Sequence, residues 1–241
     1  MKVRVLFFGA LADAAGRRAE TVVLADRASV SDLLAMYEAK LPQVGAMRGS
    51  LAVSVNQEYA KPSATLREND EVALLPPVSG GRSPTTKAAN VAIVRERIDV
   101  QTISNSLRQP ADGACCIFEG IVRDNSRGRK TLFLDYEAYE PMALKEMEVL
   151  AHEGQRKFDI REAVIVHRLG RVHIGETSVL VAVASAHRSA AFEACKWLID
   201  NLKKRVPVWK KEYFQDGAMW ADGEPFPAEL SADSGTVKSA R

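Results

Sequence analysis

From its first residues the chain alternates apolar and polar positions at the period of a strand, with Val3, Val5 and Phe7 on one side and Arg4 between them. A turn is expected at Gly9 and a second strand at residues 21–24. Ser29 or Ser31 is placed to cap a helix whose apolar positions Leu33, Leu34, Tyr37 and Leu41 recur at three to four residues, and Pro42 ends it. Strands follow at residues 51–55 and, after the Asn69-Asp70 turn, at residues 71–75. Two strands, a helix and then more strands are what a small sheet folded over one helix requires.

Residues 76–89 lose all apolar period and are rich in Pro, Gly, Ser and Thr, the composition of an exposed linker. The expected division is a first domain at 1–81, a linker at 82–89 and a second domain at 90–229. In the second domain the pattern predicts a strand at 91–94, a helix begun near Asp99, long strands at 114–122 and 132–139, and a helix opened by Pro141. A strand at 163–166 precedes residues 178–184, which are nearly all Val, Leu and Ala, as in a strand covered on both faces. The last strong helix is expected at 189–204, with Phe192, Cys195, Ile199 and Leu202 on one stripe, and Pro207 forbids its continuation. Residues 230–241 read as a frayed tail.

Composition adds limits. With 241 residues, 46% of them hydrophobic and 27% charged, the chain exceeds the commonest single-domain size, so two domains are expected. No stretch approaches the roughly 20 apolar residues of a membrane span. The start passes directly from Met1 into a strand without a signal-peptide cleavage site, so the expectation is a cytoplasmic protein with no membrane partner. The three cysteines, Cys115, Cys116 and Cys195, suit neither a disulfide framework nor a zinc site and read as buried small hydrophobes. A formal charge of +2 does not imply a nucleic-acid partner, although residues 203–211 are locally basic.

Three features carry candidate chemistry. Gly80-Gly81 follows the last strand of the first domain directly; it is either flexible linker or a tail narrow enough to enter a channel in which any Cβ would clash. His187-Arg188 stands just before a helix, where free N–H groups and the helix dipole favour an anion, or it is an ordinary solvated helix start. Lys203 and Lys204 close that helix, where cations are favoured in any protein. Lys210, between Trp209 and Tyr213, reads as a lysine partly walled from water and able to serve an anionic reaction centre.

Residues 1–81 resemble the small subunit of molybdopterin synthase, a ubiquitin-like sulfur carrier of the β-grasp fold. The resemblance rests on Val3-Arg4-Val5-Leu6-Phe7-Phe8-Gly9, on Val53-Ser54-Val55-Asn56 and on the ending from Asp70 to Gly81. Residues 90–224 resemble the large, catalytic subunit of the same synthase through five ordered motifs. These begin with Phe118-Glu119-Gly120-Ile121-Val122-Arg123-Asp124-Asn125 and Leu134-Asp135-Tyr136-Glu137-Ala138-Tyr139. His167-Arg168-Leu169-Gly170 and His187-Arg188-Ser189-Ala190-Ala191-Phe192 follow, and the run from Lys203 to Glu212 completes them.

The resemblance implies an α+β chain, a β-grasp domain followed by an α/β hammerhead-like domain that dimerises and accepts a carrier's Gly-Gly tail. It implies sulfur transfer from a Gly81 thiocarboxylate, loaded by an adenylating enzyme, to cyclic pyranopterin monophosphate, with no metal or organic cofactor. The implied catalytic residues are Lys203, Lys210 and Gly81. The implied substrate contacts are Ile121, Val122, Arg123, Lys203, Lys210, Lys211 and Glu212, with His187 and Arg188 from the neighbouring subunit. Lys204 and Lys211 repeat the spacing of Lys203 and Lys210, so a register shifted by one residue stays open.

One departure matters for mechanism. Gly81 is followed by Arg82, so its carboxyl is held in a peptide bond and cannot carry sulfur on the intact chain. Either a protease cuts after Gly81, or a separate carrier supplies the sulfur. Two readings from other classes remain: a non-enzymatic carrier precursor whose second domain only docks partners, and a nucleic-acid binder using residues 203–211, which the near-balanced charge disfavours.

Overall fold

The computed structural model describes residues 1–77, 90–126 and 128–221, and among these the chain forms two compact units, one up to residue 77 and one over residues 90–221. The expected Gly80-Gly81 tail, linker 82–89 and frayed tail 230–241 lie outside the described residues.

The first unit contains β1 (Lys2–Phe7), α1 (Gly9–Ala15), β2 (Ala19–Val23), α2 (Val30–Lys40), α3 (Pro42–Ala46), β3 (Ala52–Val55), β4 (Glu58–Tyr59) and β5 (Glu71–Leu75). The sheet order is β2-β1-β5-β3-β4, with β1 antiparallel to β2 and parallel to β5. Alternation turns Val3, Val5, Phe7, Val53, Val72 and Leu74 to one face, where Leu33, Leu34 and Tyr37 of α2 cover them. Ser29 holds the start of α2 in a reciprocal capping box with Asp32. One helix across a mixed five-stranded sheet is the β-grasp architecture.

Two expectations change here. Gly9 does not mark a mere turn but opens α1, an alanine-rich helix stopped by Gly16 at φ 64°, a left-handed conformation that glycine adopts at little cost. Pro42 stands outside α2, which ends at Lys40, and occupies the first turn of α3.

The second unit begins with β6 (Asn90–Val94), α4 (Val100–Leu107), β7 (Ala114–Ile121), β8 (Asn125–Ser126) and β9 (Arg129–Ala138). It continues with α5 (Glu140–Phe158), β10 (Glu162–Arg168), β11 (Gly170–His173), β12 (Thr177–Ser185), α6 (Arg188–Leu202), β13 (Val208–Phe214) and β14 (Gly217–Trp220). One sheet has the order β6-β10-β12-β7, and a second has the order β11-β9-β13-β14 with β8 paired to β9. Helices α5 and α6 pack through Met147, Leu150, Leu198 and Ile199 onto Val179, Val181 and Val183. On the opposite face Leu107 of α4 meets Leu180, Ala182 and Ala184. The apolar run of β12 is therefore covered on both sides, and the two units together are α+β.

The short strands β11 and β14 have mostly exposed residues and no alternating signal, and the sequence pattern did not predict them. Phe192 leaves the expected stripe and is 64% exposed. The buried line on α6 runs through Ala191, Ala194, Cys195, Leu198, Ile199 and Leu202, and Phe192 falls on its flank. Among the cysteines only Cys195 is buried, its thiol pushed up to about 12 by burial and by Cys116; Cys115 and Cys116 are half-buried. No helix among the described residues is long and apolar enough to cross a membrane.

His167, in the middle of the second unit, is fully enclosed. Its Nδ1 lies 3.0 Å from the Arg168 carbonyl, so a neutral ring with the proton on Nδ1 donates there. Burial drives its pKa from 6.5 down to about 4, against the smaller upward pull of that hydrogen bond. The unfolded chain accordingly takes up a proton that the folded one refuses, and stability is lost as pH falls through this window and is retained above it. Urea midpoints measured between about pH 7 and pH 4.5 should fall less steeply for His167→Gln than for the native chain, and equal slopes would remove His167 as a cause.

Candidate functional site

Helix α6 fixes two sets of candidate residues at its two ends. His187 is its N-cap and Lys203 its C-cap, and its 15 residues span about 22 Å at 1.5 Å per residue. His187 and Arg188, both exposed, line a cavity of about 490 Å³ with Gly113, Ser189 and Phe192. Lys203 lines a different cavity, of about 440 Å³, together with Lys210 and Glu212 of β13 and Ile121, Val122 and Arg123 at the end of β7. The structure thus brings Lys203, Lys210, Glu212, Ile121, Val122 and Arg123 together and leaves His187 and Arg188 a helix length away.

Strand alternation sorts the lysines. Lys210 pairs with Tyr136 of β9 and Glu212 with Leu134, and all four line the cavity. Lys211 pairs with Asp135 on the opposite face, its Nζ 5.2 Å from the centre of the Trp220 ring. Trp209 and Tyr213 share that outer face, so Lys210 is walled by Tyr136 rather than by the two aromatic residues that flank it in sequence. Lys204 is exposed and does not line the cavity.

The cavity wall carries three cations, Arg123, Lys203 and Lys210, against two carboxylates, Glu119 and Glu212. Glu212 is buried and paired with Lys210 at 3.1 Å, while Glu119 accepts a hydrogen bond from the Thr177 hydroxyl at 2.8 Å. The balance favours an anionic occupant. Gly120 leaves no room for a side chain, because a Cβ there would stand 2.5 Å from Val179 Cγ1. Among the described residues no cluster of His, Cys, Asp or Glu could hold a metal ion.

Ser126, Thr131, Ser178 and Val179 of the wall lie outside every motif of the sequence reading, and Tyr136, inside one, was given no role. Tyr136 donates its hydroxyl to Ser178 Oγ at 3.3 Å, and Ser178 donates to the Gly120 carbonyl at 2.9 Å. The available signal for Ser178 was a polar residue at the start of an otherwise apolar strand.

Fold and site together define a two-domain chain, a β-grasp unit joined to an α+β unit with a cation-lined cavity. Residues 5–81 match the model of the ThiS family, and residues 93–205 match that of the MoaE protein. A molybdopterin synthase catalytic subunit of Pyrococcus abyssi is 42% identical over 138 residues, 56% of this chain and 93% of the relative. The solved molybdopterin synthase from Staphylococcus aureus superposes with a TM-score of 0.53 at 37% identity, covering 56% of this chain and 98% of that one. A MoaE protein from Burkholderia ambifaria gives a TM-score of 0.50 at 32% identity, over 62% of this chain and 99% of that one. The chain belongs to the molybdopterin synthase family, with a ThiS-family small-subunit domain and a MoaE catalytic-subunit domain fused in one polypeptide.

The pairing of Lys210 with Glu212 distinguishes the two cavity lysines in stability. Removing Lys210 takes a partner from a buried carboxylate, whereas Lys203 is exposed at a helix end. Thermal unfolding should show Lys210→Ala lowering Tm by about 3 °C and Lys203→Ala leaving it within about 1 °C. Lys210→Ala combined with Glu212→Gln should recover most of the loss; no recovery would mean the pair is not what holds this wall.

Proposed function

We propose that the chain is a molybdopterin synthase in the full sense: a sulfurtransferase that moves sulfur from the Gly-Gly thiocarboxylate of a carrier tail to cyclic pyranopterin monophosphate, making the dithiolene of molybdopterin. The observation that carries this reading is the meeting of Lys203 and Lys210 with Arg123 in one cavity of a MoaE domain. Two lysines at one end of the reaction centre neutralise the tail's charge and assist proton transfer, and the chemistry relies on positioning and electrostatics. Ile121, Val122, Lys210 and Glu212 line the substrate's seat. Two successive tails supply the two sulfurs.

His187 and Arg188 hold the substrate phosphate in this reading, but for the cavity of a second copy. Support comes from the length of α6, which keeps them about 22 Å from the Lys203 of their own chain. The large domain then works as a dimer, and each complete site draws on both protomers. Lys211, on the opposite face of the strand, does not line this cavity, and in this reading it stands outside the site.

The turnover test uses single substitutions with the neighbours as register controls. Lys203→Ala and Lys210→Ala should each lower dithiolene formation by at least about 100-fold at a temperature where both are folded, with Lys204→Ala and Lys211→Ala near normal. The reverse pattern would shift the assignment by one residue, and full activity in all four would remove the lysines from the mechanism. In verified mixed dimers, a Lys203→Ala chain and a His187→Ala, Arg188→Ala chain should together regain part of the activity.

Sulfur loading requires a free carboxyl, and Gly81 is bonded to the nitrogen of Arg82. Use of the chain's own carrier domain therefore follows cleavage after Gly81. With an activating enzyme and a sulfur source, a chain ending at Gly81 should gain the mass difference of oxygen replaced by sulfur, while the intact fusion should not. Product formed by a fusion shown by mass to be uncut, with no other carrier present, would overturn this requirement.

A further inference from the structure

The ladder between β9 and β13 is irregular at one point. Tyr213 pairs with Phe133, but the next residue, Phe214, pairs with Thr131, so Leu132 is an extra residue on β9. Regular alternation would put Leu132 on the cavity face beside Leu134 and Tyr136 and send Thr131 outward with Phe133. The bulge reverses this: Leu132 is 39% exposed, and Thr131, at 2%, is buried in the cavity wall. Bulges of this kind re-aim a side chain, and they are common beside active sites.

The side chain so placed has an unusual status. Its backbone N–H donates to the Asp124 carbonyl at 2.8 Å, but its buried hydroxyl has no hydrogen-bond partner among the described residues. A buried hydroxyl left unmatched destabilises the fold, and valine would fill the same volume without that penalty. Thr131 shares its part of the wall with Asn125 and Ser126 of β8, which pairs with β9. This polar group is uncharged, whereas the cations come from the end of β7, the end of α6 and β13.

We propose that Thr131 is a specificity-determining substrate contact, its hydroxyl pairing with an uncharged polar edge of the substrate's pterin ring. The inference rests on the synthase reading and adds a residue outside the set that the family resemblance implies. In that reading negative charge is met by cations, the tail's by Lys203 and Lys210 and the phosphate's by His187 and Arg188 of a second copy. A neutral donor and acceptor such as threonine discriminates best on the neutral amide and amine groups of a heterocycle, which a cation binds with little selectivity. A 120° rotation about χ1 carries the hydroxyl to another staggered position without movement of the backbone, which is how it would meet a ligand.

The test is calorimetric titration of the full chain with cyclic pyranopterin monophosphate, beside inorganic phosphate as a probe of the anionic contacts alone. Thr131→Val should bind the pterin about fivefold more weakly, Thr131→Ser within about twofold of the native chain, and both should bind phosphate as the native chain does. Thr131→Val should melt no lower than the native chain, since it removes an unmatched polar group. Unchanged pterin affinity in Thr131→Val would overturn the contact and leave the synthase reading standing. Equal weakening toward phosphate would also overturn the ring assignment, and a lowered Tm would show that the hydroxyl serves the fold. Failure of the native chain to bind the pterin at all would remove the synthase reading and this inference together.

Discussion

Burial of β12 on both faces is the constraint from which the second unit is built. A strand sandwiched between α4 on one side and α5 with α6 on the other cannot shift in register without driving Val181 or Leu180 out of its layer. Its first residues, at Ser178 and Val179, stand in the wall of the cation-lined cavity, and its last, Ser185, leads into the turn before α6. The helix then returns to deliver Lys203 to the same cavity. Strand and helix together set both candidate anion sites, and the hydrophobic core does the positioning.

Within the cavity, charge is deployed unevenly. Lys210 is tied to the buried Glu212, so its ammonium has a fixed address before any ligand arrives. Lys203, exposed at the end of α6, has no such anchor among the described residues and can follow a ligand's charge. A fixed cation beside an adaptable one suits a centre where charge changes as a tail enters and leaves. The hydroxyl chain from Tyr136 through Ser178 to the Gly120 carbonyl ties β9, β12 and β7 together in the same wall.

Much of this was legible in the sequence, for identifiable reasons. β12 declared itself because a strand buried twice must be apolar at every position, and Asp99, Pro141 and Ser29 marked helix starts through local chemistry alone. α1 was hidden because Gly9 suggests a turn until the alanines after it are weighed. The bulge was hidden more deeply: Leu132, Leu134 and Tyr136 read as one apolar face, and only the pairing with β13 shows that Leu132 has been turned out. Trp209, Lys210 and Tyr213 looked like neighbours for the same reason, although adjacent residues on a strand point to opposite sides. The motifs held most of the cavity's lining but not Ser126, Thr131, Ser178 or Val179; which face each residue occupied depended on register, which no single strand encodes.

The length of α6 has a consequence for how the proposed activity depends on the amount of protein. If phosphate-holding and sulfur-transferring groups sit at opposite ends of one helix, a lone chain contains every required side chain and yet no finished site. The finished site is then an equilibrium species, populated according to concentration relative to the dimer dissociation constant. Dilution would not weaken each site but reduce how many exist, so that specific activity itself becomes a measure of association.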